Sequence, residues 1–187
     1  RSGGEAAVQD AAAVAGRAAL FASAFWIANY SFVLAWTPWL FRKLKAAPTE
    51  GLREVVSVSI LYFVLASVAG VAFYYISLFI APILLGEAFH RAIPLLQYIM
   101  IAIVLQGFFI HNMKFLHFDK DIGLMSACSA LTIVLKLWPS ISWASTMGMR
   151  GIMLATAVSF AVTFLISGAL VVARYVDFKQ GFKAVVR

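Results

Sequence analysis

Lys136 is the residue in this chain whose position most needs a chemical reason. It stands inside an apolar run. If that run is a helix turning about 100° per residue, Ser126, Ser129, Thr132, Lys136 and Ser140 fall within an arc of about 120°. A cation crowning a row of hydroxyls has two plausible uses. It can line a water-filled path and attract an anionic substrate such as a lipid diphosphate, because ionisable groups within a membrane generally mark pathways. Alternatively, its aliphatic stem can carry the ammonium to the outer interface beside Trp138 and Trp143. The sequence leaves both readings open. Lys136, Thr132 and Ser129 are the candidate path residues, with Arg17 and Arg150 at the outer mouth.

The chain is poorly supplied for other chemistry. All eight acids (Glu5, Asp10, Glu50, Glu54, Glu87, Asp119, Asp121 and Asp177) fall outside the apolar runs. A carrier of cationic drugs, or one coupled to protons or sodium, usually places a carboxylate at depth, so these classes are disfavoured. Paired carboxylates for hydrolysis are missing as well. His90, His111 and His117 lack HExxH spacing and read as lying near membrane boundaries, with His111 and Asn112 making polar contacts at a helix end. Gln106 and Asn29 suit hydrogen bonds across helices. Cys128 is the single cysteine, so there is neither a disulfide framework nor a CxxC pair. No phosphate-binding glycine loop or Ser-His-Asp arrangement is suggested. The expectation is a protein that is not an enzyme, with no catalytic residue, metal ligand or cofactor.

The elements that must position Lys136 follow from composition. Hydrophobic residues make up 63% and charged residues 12% of the 187, and mean hydropathy is +0.93. These values depart strongly from a water-soluble domain and indicate an integral membrane protein. No stretch alternates with a period of two, which disfavours a β-barrel. The expected fold is all-α, a polytopic bundle of five spans at 18–41, 55–80, 92–113, 122–143 and 151–173. Residues 1–17 read as a polar leader or loop, 18–175 as the bundle and 176–187 as a basic cytoplasmic tail. Pro38 is placed to kink span one, Pro82 to end span two and Pro139 to interrupt span four, while Trp36 and Trp39 suit an interfacial aromatic belt.

Cation distribution supports this layout. One side collects Arg42, Lys43, Lys45, Arg53, Lys114, Lys120, Arg174, Lys179, Lys183 and Arg187, whereas the other has Arg1, Arg17, Arg91 and Arg150. The positive-inside rule puts the richer side and the C-terminus in the cytoplasm. The net charge of +7 therefore reads as topology, not as affinity for nucleic acid. Gly151, Ala155, Ser159, Thr163 and Ser167 form an unbroken i, i+4 row of small or hydroxyl side chains. Lipid gives no apolar drive for helix association, so close approach along such a row supplies it, and the row is expected to be a packing seam.

Three stretches carry a resemblance: AWTPWLFRKL at 35–44, APILLGEAFHRA at 81–92 and GMRGIMLATAVS at 148–159. Their spacing resembles the C-terminal part of the polysaccharide-biosynthesis flippases, the O-antigen and exopolysaccharide repeat-unit exporters of the multidrug/oligosaccharidyl-lipid/polysaccharide superfamily. The resemblance implies two helical bundles, with this chain supplying the last five helices of the second and N-terminal helices of the same protein supplying the rest. The first residue, Arg1, and the odd number of spans fit a piece of a longer protein. The resemblance further implies alternating access in a bacterial inner membrane, moving undecaprenyl-diphosphate-linked oligosaccharide between leaflets. Its partners would be the bilayer and that lipid-linked oligosaccharide. A multidrug exporter of the same superfamily, or a membrane enzyme or subunit of envelope polysaccharide biogenesis, are the rival expectations.

Overall fold

The computed structural model describes the backbone of residues 2–46, 48–85 and 93–185, and most side chains between 13 and 175. The fold is all-α: α1 (Ser2–Ala46), α2 (Pro48–Leu85), α3 (Ile93–Phe118), α4 (Ile122–Met147) and α5 (Met149–Val185). Among the described residues, five helices are long and apolar enough to cross a membrane. Their outer faces carry large apolar side chains, among them Leu20, Phe79, Ile83, Trp138 and Ile141. Exposure on that scale suits hydrocarbon and not water.

The helices run past the spans expected from hydropathy. Residues 1–17 were expected as a leader or loop, yet α1 is continuous from Ser2. The run AAAVAGRAA is rich in alanine, the strongest helix former, so polarity there limits membrane insertion and not helicity. The charged segment expected as a loop at 42–54 is almost wholly helical, with α1 ending at Ala46 and α2 starting at Pro48. Proline suits that start, because a first-turn N–H has no helical acceptor to lose. Likewise, α2 continues through Pro82 to Leu85, and α4 is unbroken at Pro139. A single proline removes one backbone bond at a cost of about 3 kcal/mol, which a long helix in a bundle withstands. In the tail, α5 stays helical to Val185, while the side chains of 176–187 lie outside the described residues.

At the bundle's centre is α3. Half of its apolar span is buried, against 6% for α4. Its largest interface is with α5, and it also packs against α1 and α2; α4 leans chiefly on α5. Two turns set this arrangement. Asp119, Lys120 and Asp121 reverse the chain between α3 and α4, with Lys120 at φ 58° and the Asp121 carboxylate accepting from the Leu124 N–H at 3.1 Å as the α4 cap. At the other end Gly148, φ 59°, is the single hinge residue before α5. Glycine is suited to that left-handed position because it has no Cβ to clash.

The small row of α5 is buried throughout: Ala155, Ser159, Thr163 and Ser167 expose at most 1%, and Gly151 is buried too. A Cβ on Gly151 would collide with the Trp143 carbonyl of α4. Ser167, by contrast, receives a 3.1 Å hydrogen bond from Asn112 of α3. An i, i+4 step overturns a helix by about 40°, so the row precesses from α4 at one end to α3 at the other. On α2, Gly70 similarly lets α3 approach, since a Cβ there would stand 2.6 Å from a Val104 methyl.

Candidate functional site

Polar side chains in the bundle converge on α3. From α1, Asn29 accepts a 2.9 Å bond from the Tyr62 hydroxyl of α2 and donates to the Ile103 carbonyl of α3 at 3.4 Å. Gly107 makes this junction possible, because a Cβ there would run into the Asn29 carboxamide. One turn along α3 lies His111, with no exposed surface. Its Nε2 stands 2.9 Å from Ser59 Oγ. The Ser59 hydroxyl proton is committed to the Val55 carbonyl at 2.8 Å, so Nε2 is assigned as the donor and Nδ1 is left as an acceptor without a partner among the described residues. The imidazole is stacked between Trp36 at 4.3 Å and Tyr62 at 4.9 Å, with Phe63 and Phe115 edge-on at 5.1 and 5.8 Å.

These positions correct two expectations. His111 is not at a helix end, because α3 extends to Phe118 and places it about 10 Å short of that end at 1.5 Å per residue. Trp36 is not an interfacial anchor; it packs in the core against His111, while Trp39 carries Lys43 over its ring at 5.9 Å. Asn112 does join helices, donating to the Phe164 carbonyl and Ser167 of α5. His117 is exposed and stacks on Phe41. His90 lies outside the described residues.

Beside this junction a cavity of about 680 Å³ opens between α2 and α5, with α3 as its floor. Val56, Ile60 and Phe63 wall one side and Phe164 and Val172 the other; His111, Asn112 and Phe115 form the base. Arg53 and Tyr175 stand at the basic end. The end of α5 is held there by Arg174, which bonds Asp121 and contacts Asp119 at 3.2 Å. The Arg174 hydrogen bond, helped by the Leu124 N–H, holds the Asp121 carboxyl below the usual carboxylate range. Burial pushes Asp119 upward against the opposing pull of Arg174.

The residues expected to form a substrate path lie elsewhere. Lys136 and Ser129 are on the uncovered face of α4, whereas Thr132 is buried and donates to the Cys128 carbonyl at 2.8 Å. Ser129 bonds back to Met125 in the same way, so both hydroxyls are satisfied within their own helix. Arg17 and Arg150 are exposed near the opposite end from Arg53, where Val14 and Ala18 pack in a cluster with Met149 and Met153. The five-helix bundle does not bring these candidates into the α2–α5 cavity. Along the 26 residues of α4, Lys136 lies roughly 2 Å past the helix midpoint.

Among the described residues no group of three or more His, Cys, Asp or Glu side chains converges. Cys128 is free and buried against α5 side chains. The chain matches no protein-family model, no characterised protein and no solved structure. What the site can do is therefore argued from its geometry. An apolar groove with a charged mouth and an uncovered helix face with a central cation both suit amphiphiles, molecules with a hydrocarbon part and an anionic part.

Sequence reasoning missed Trp36, Ser59 and Tyr62 as partners of His111. A signal for the first existed: Asn29, Val33, Trp36, Leu40 and Leu44 recur at steps of four and three, and all five are buried. That spacing is the mark of a packed helical stripe.

Proposed function

We propose that the chain is the C-terminal part of a transporter that flips undecaprenyl-diphosphate-linked oligosaccharide across a bacterial inner membrane by alternating access. The observation that carries this reading is Lys136, near the midpoint of α4 on a face that the other four helices leave uncovered. A lysine at the centre of a hydrocarbon core costs about 2.5–3.5 kcal/mol on insertion scales, so the face needs a polar or aqueous neighbour. From Lys136 to Trp143 is about 10 Å along the helix axis, a long reach for a lysine stem to an interface. In the transporter the α4 face would line a cavity completed by the protein's N-terminal helices, with Lys136 drawing the diphosphate and Ser129 about two turns away on the same face. Arg150 and Arg17 would stand at the outer mouth and the C-terminus in the cytoplasm.

The acids with described side chains, Glu54, Asp119 and Asp121, stand at the helix ends, an arrangement better suited to anionic than to cationic cargo. The test is Lys136→Met and Lys136→Arg in the full-length protein, read as lipid-linked oligosaccharide delivered to the outer leaflet and normalised to protein abundance. The methionine variant should lose at least tenfold and the arginine variant should retain export. Unchanged export by the methionine variant at normal abundance refutes the assignment.

A further inference from the structure

We infer that the groove between α2 and α5 is a binding site for an anionic phospholipid of the leaflet at the basic end of the bundle. The phosphate would rest against Arg53 and one hydrocarbon chain would lie along the groove. The site is separate from the α4 face, because no α4 residue lines it.

Three features choose this occupant. The first is shape and polarity. The cavity, about 680 Å³ in volume, falls within the roughly 300–1,000 Å³ range of small-molecule sites, and its walls are apolar side chains such as Val56, Ile60, Phe164 and Val172. From Arg53 to Phe63 along α2 is about 15 Å, the length of a substantial piece of acyl chain.

The second is that the walls do not close on each other. Val56, Ile60 and Val172 remain 46%, 57% and 62% exposed, although α2 and α5 both pack on α3. Hydrocarbon in that slot fills contacts that these side chains otherwise lack.

The third is charge. Arg53 is exposed at the mouth, and no ion pair involves it among the described residues. Among the described side chains, the same end holds Arg42, Lys43, Lys45, Lys114, Lys120 and Arg174 against Glu54, Asp119 and Asp121. The three acids are engaged, Glu54 by Lys43 and both aspartates by Arg174. Among the described side chains, a phosphodiester at Arg53 therefore meets a cation without a competing free carboxylate, in a field that favours anionic lipid.

The experiment uses the full-length protein, purified in detergent and stripped of lipid. Dioleoylphosphatidylglycerol or dioleoylphosphatidylcholine is then added and bound lipid is counted by native mass spectrometry. Phosphatidylglycerol should be retained about fivefold more strongly, the worth of one surface cation, and Arg53→Gln should erase that preference while leaving phosphatidylcholine retention unchanged. Ile60→Trp, at an exposed wall position, should lower retention of both lipids severalfold, with the thermal midpoint checking that the variant is folded. Equal retention of the two lipids by the wild type would overturn the proposal. So would indifference of retention to both substitutions, the result expected if another helix or a second copy fills the slot. Because neither variant touches α4, export in the Lys136 assay can fail or succeed independently.

Discussion

Replacing Gly107 by alanine tests the α1–α2–α3 junction with a single methyl group. A Cβ there would collide with the Asn29 carboxamide and stand 2.9 Å from the Tyr62 hydroxyl oxygen. Neither neighbour can step aside freely: Asn29 and Tyr62 are 9% and 4% exposed, and the Tyr62 ring is stacked on Phe32 and on His111. Overpacking a tight core costs about 1–3 kcal/mol. Displacing Asn29 also forfeits its bond with Tyr62, worth roughly 0.6 and at most about 1.7 kcal/mol inside a membrane bundle. The gain in helix propensity on leaving glycine returns up to about 1 kcal/mol. The net expectation is a loss of about 1–3 kcal/mol, a shift of roughly 5- to 150-fold in the folded-to-unfolded ratio. Reversible unfolding in mixed micelles, followed by helical circular dichroism, measures it. The decisive arm is the cycle with Asn29→Ala, which removes the obstructing carboxamide. In that background only the Tyr62 hydroxyl remains in the way, so Gly107→Ala should cost less than in the wild type, giving a coupling of about 1 kcal/mol. A Gly107→Ala variant as stable as wild type, or equally destabilised in both backgrounds, refutes the account of the junction.

His111→Phe keeps the ring between Trp36 and Tyr62 and removes both the Ser59 bond and the unpaired Nδ1. It should stay within about 1 kcal/mol of wild type in the same unfolding assay, whereas His111→Ala should lose about 3–5 kcal/mol; equal losses would mean that the stacked faces contribute nothing. Arg174→Gln removes the bond that depresses Asp121. That aspartate's stabilising contribution is present at neutral pH and is lost as pH falls through its lowered folded value. Asp119, raised by burial, runs the other way: its contribution is present at low pH and is lost as pH rises through the folded value, and Arg174 restrains that rise. The variant should therefore be less stable than wild type at pH 7, with the gap closing below about pH 4 and in 1 M salt, where the ion pair is screened. A pH-independent gap in thermal midpoint would dismiss the ion pair as its source. Gly151→Leu should destabilise the α4–α5 pair, because its side chain would be driven into the Trp143 backbone; rescue by Trp143→Ala is not expected, since the obstacle is main chain.

Two different kinds of information explain what was legible in the sequence. The row from Gly151 to Ser167 was readable because small side chains on an otherwise bulky helix create an asymmetry, and helical periodicity turns that asymmetry into a face. Lys136 was readable for the same reason, one charged group in an apolar run. His111 was not. On α3 apolar residues surround the helix on every side, so nothing in its sequence distinguishes the face toward Trp36 from the face toward Phe164. Its place along α3 was misjudged because hydropathy falls at Lys114 while the backbone has no cause to stop until the Asp119–Asp121 turn. The same error shortened α1, α2 and α5. Hydropathy measures where a membrane could end, and helices end where capping and backbone geometry allow.

The cavity between α2 and α5 was invisible for a further reason. It is made by what two helices fail to do, and sequence records propensities to pack better than it records gaps. Val56, Ile60 and Val172 look like ordinary lipid-facing residues, and only the position of α3 beneath them turns that surface into a slot. The α4 face presents the converse case. Its polar residues announced a site, yet the bundle gathers no neighbours around Lys136. Serine and threonine at 129 and 132 are satisfied by their own backbone and would tolerate hydrocarbon. The ammonium has no such internal remedy. The Ser140 hydroxyl also lacks a partner among the described residues, but Lys136 carries the stripe's one charge and most needs a polar environment that the other four helices do not provide, which makes it the residue on which the transport reading stands or falls.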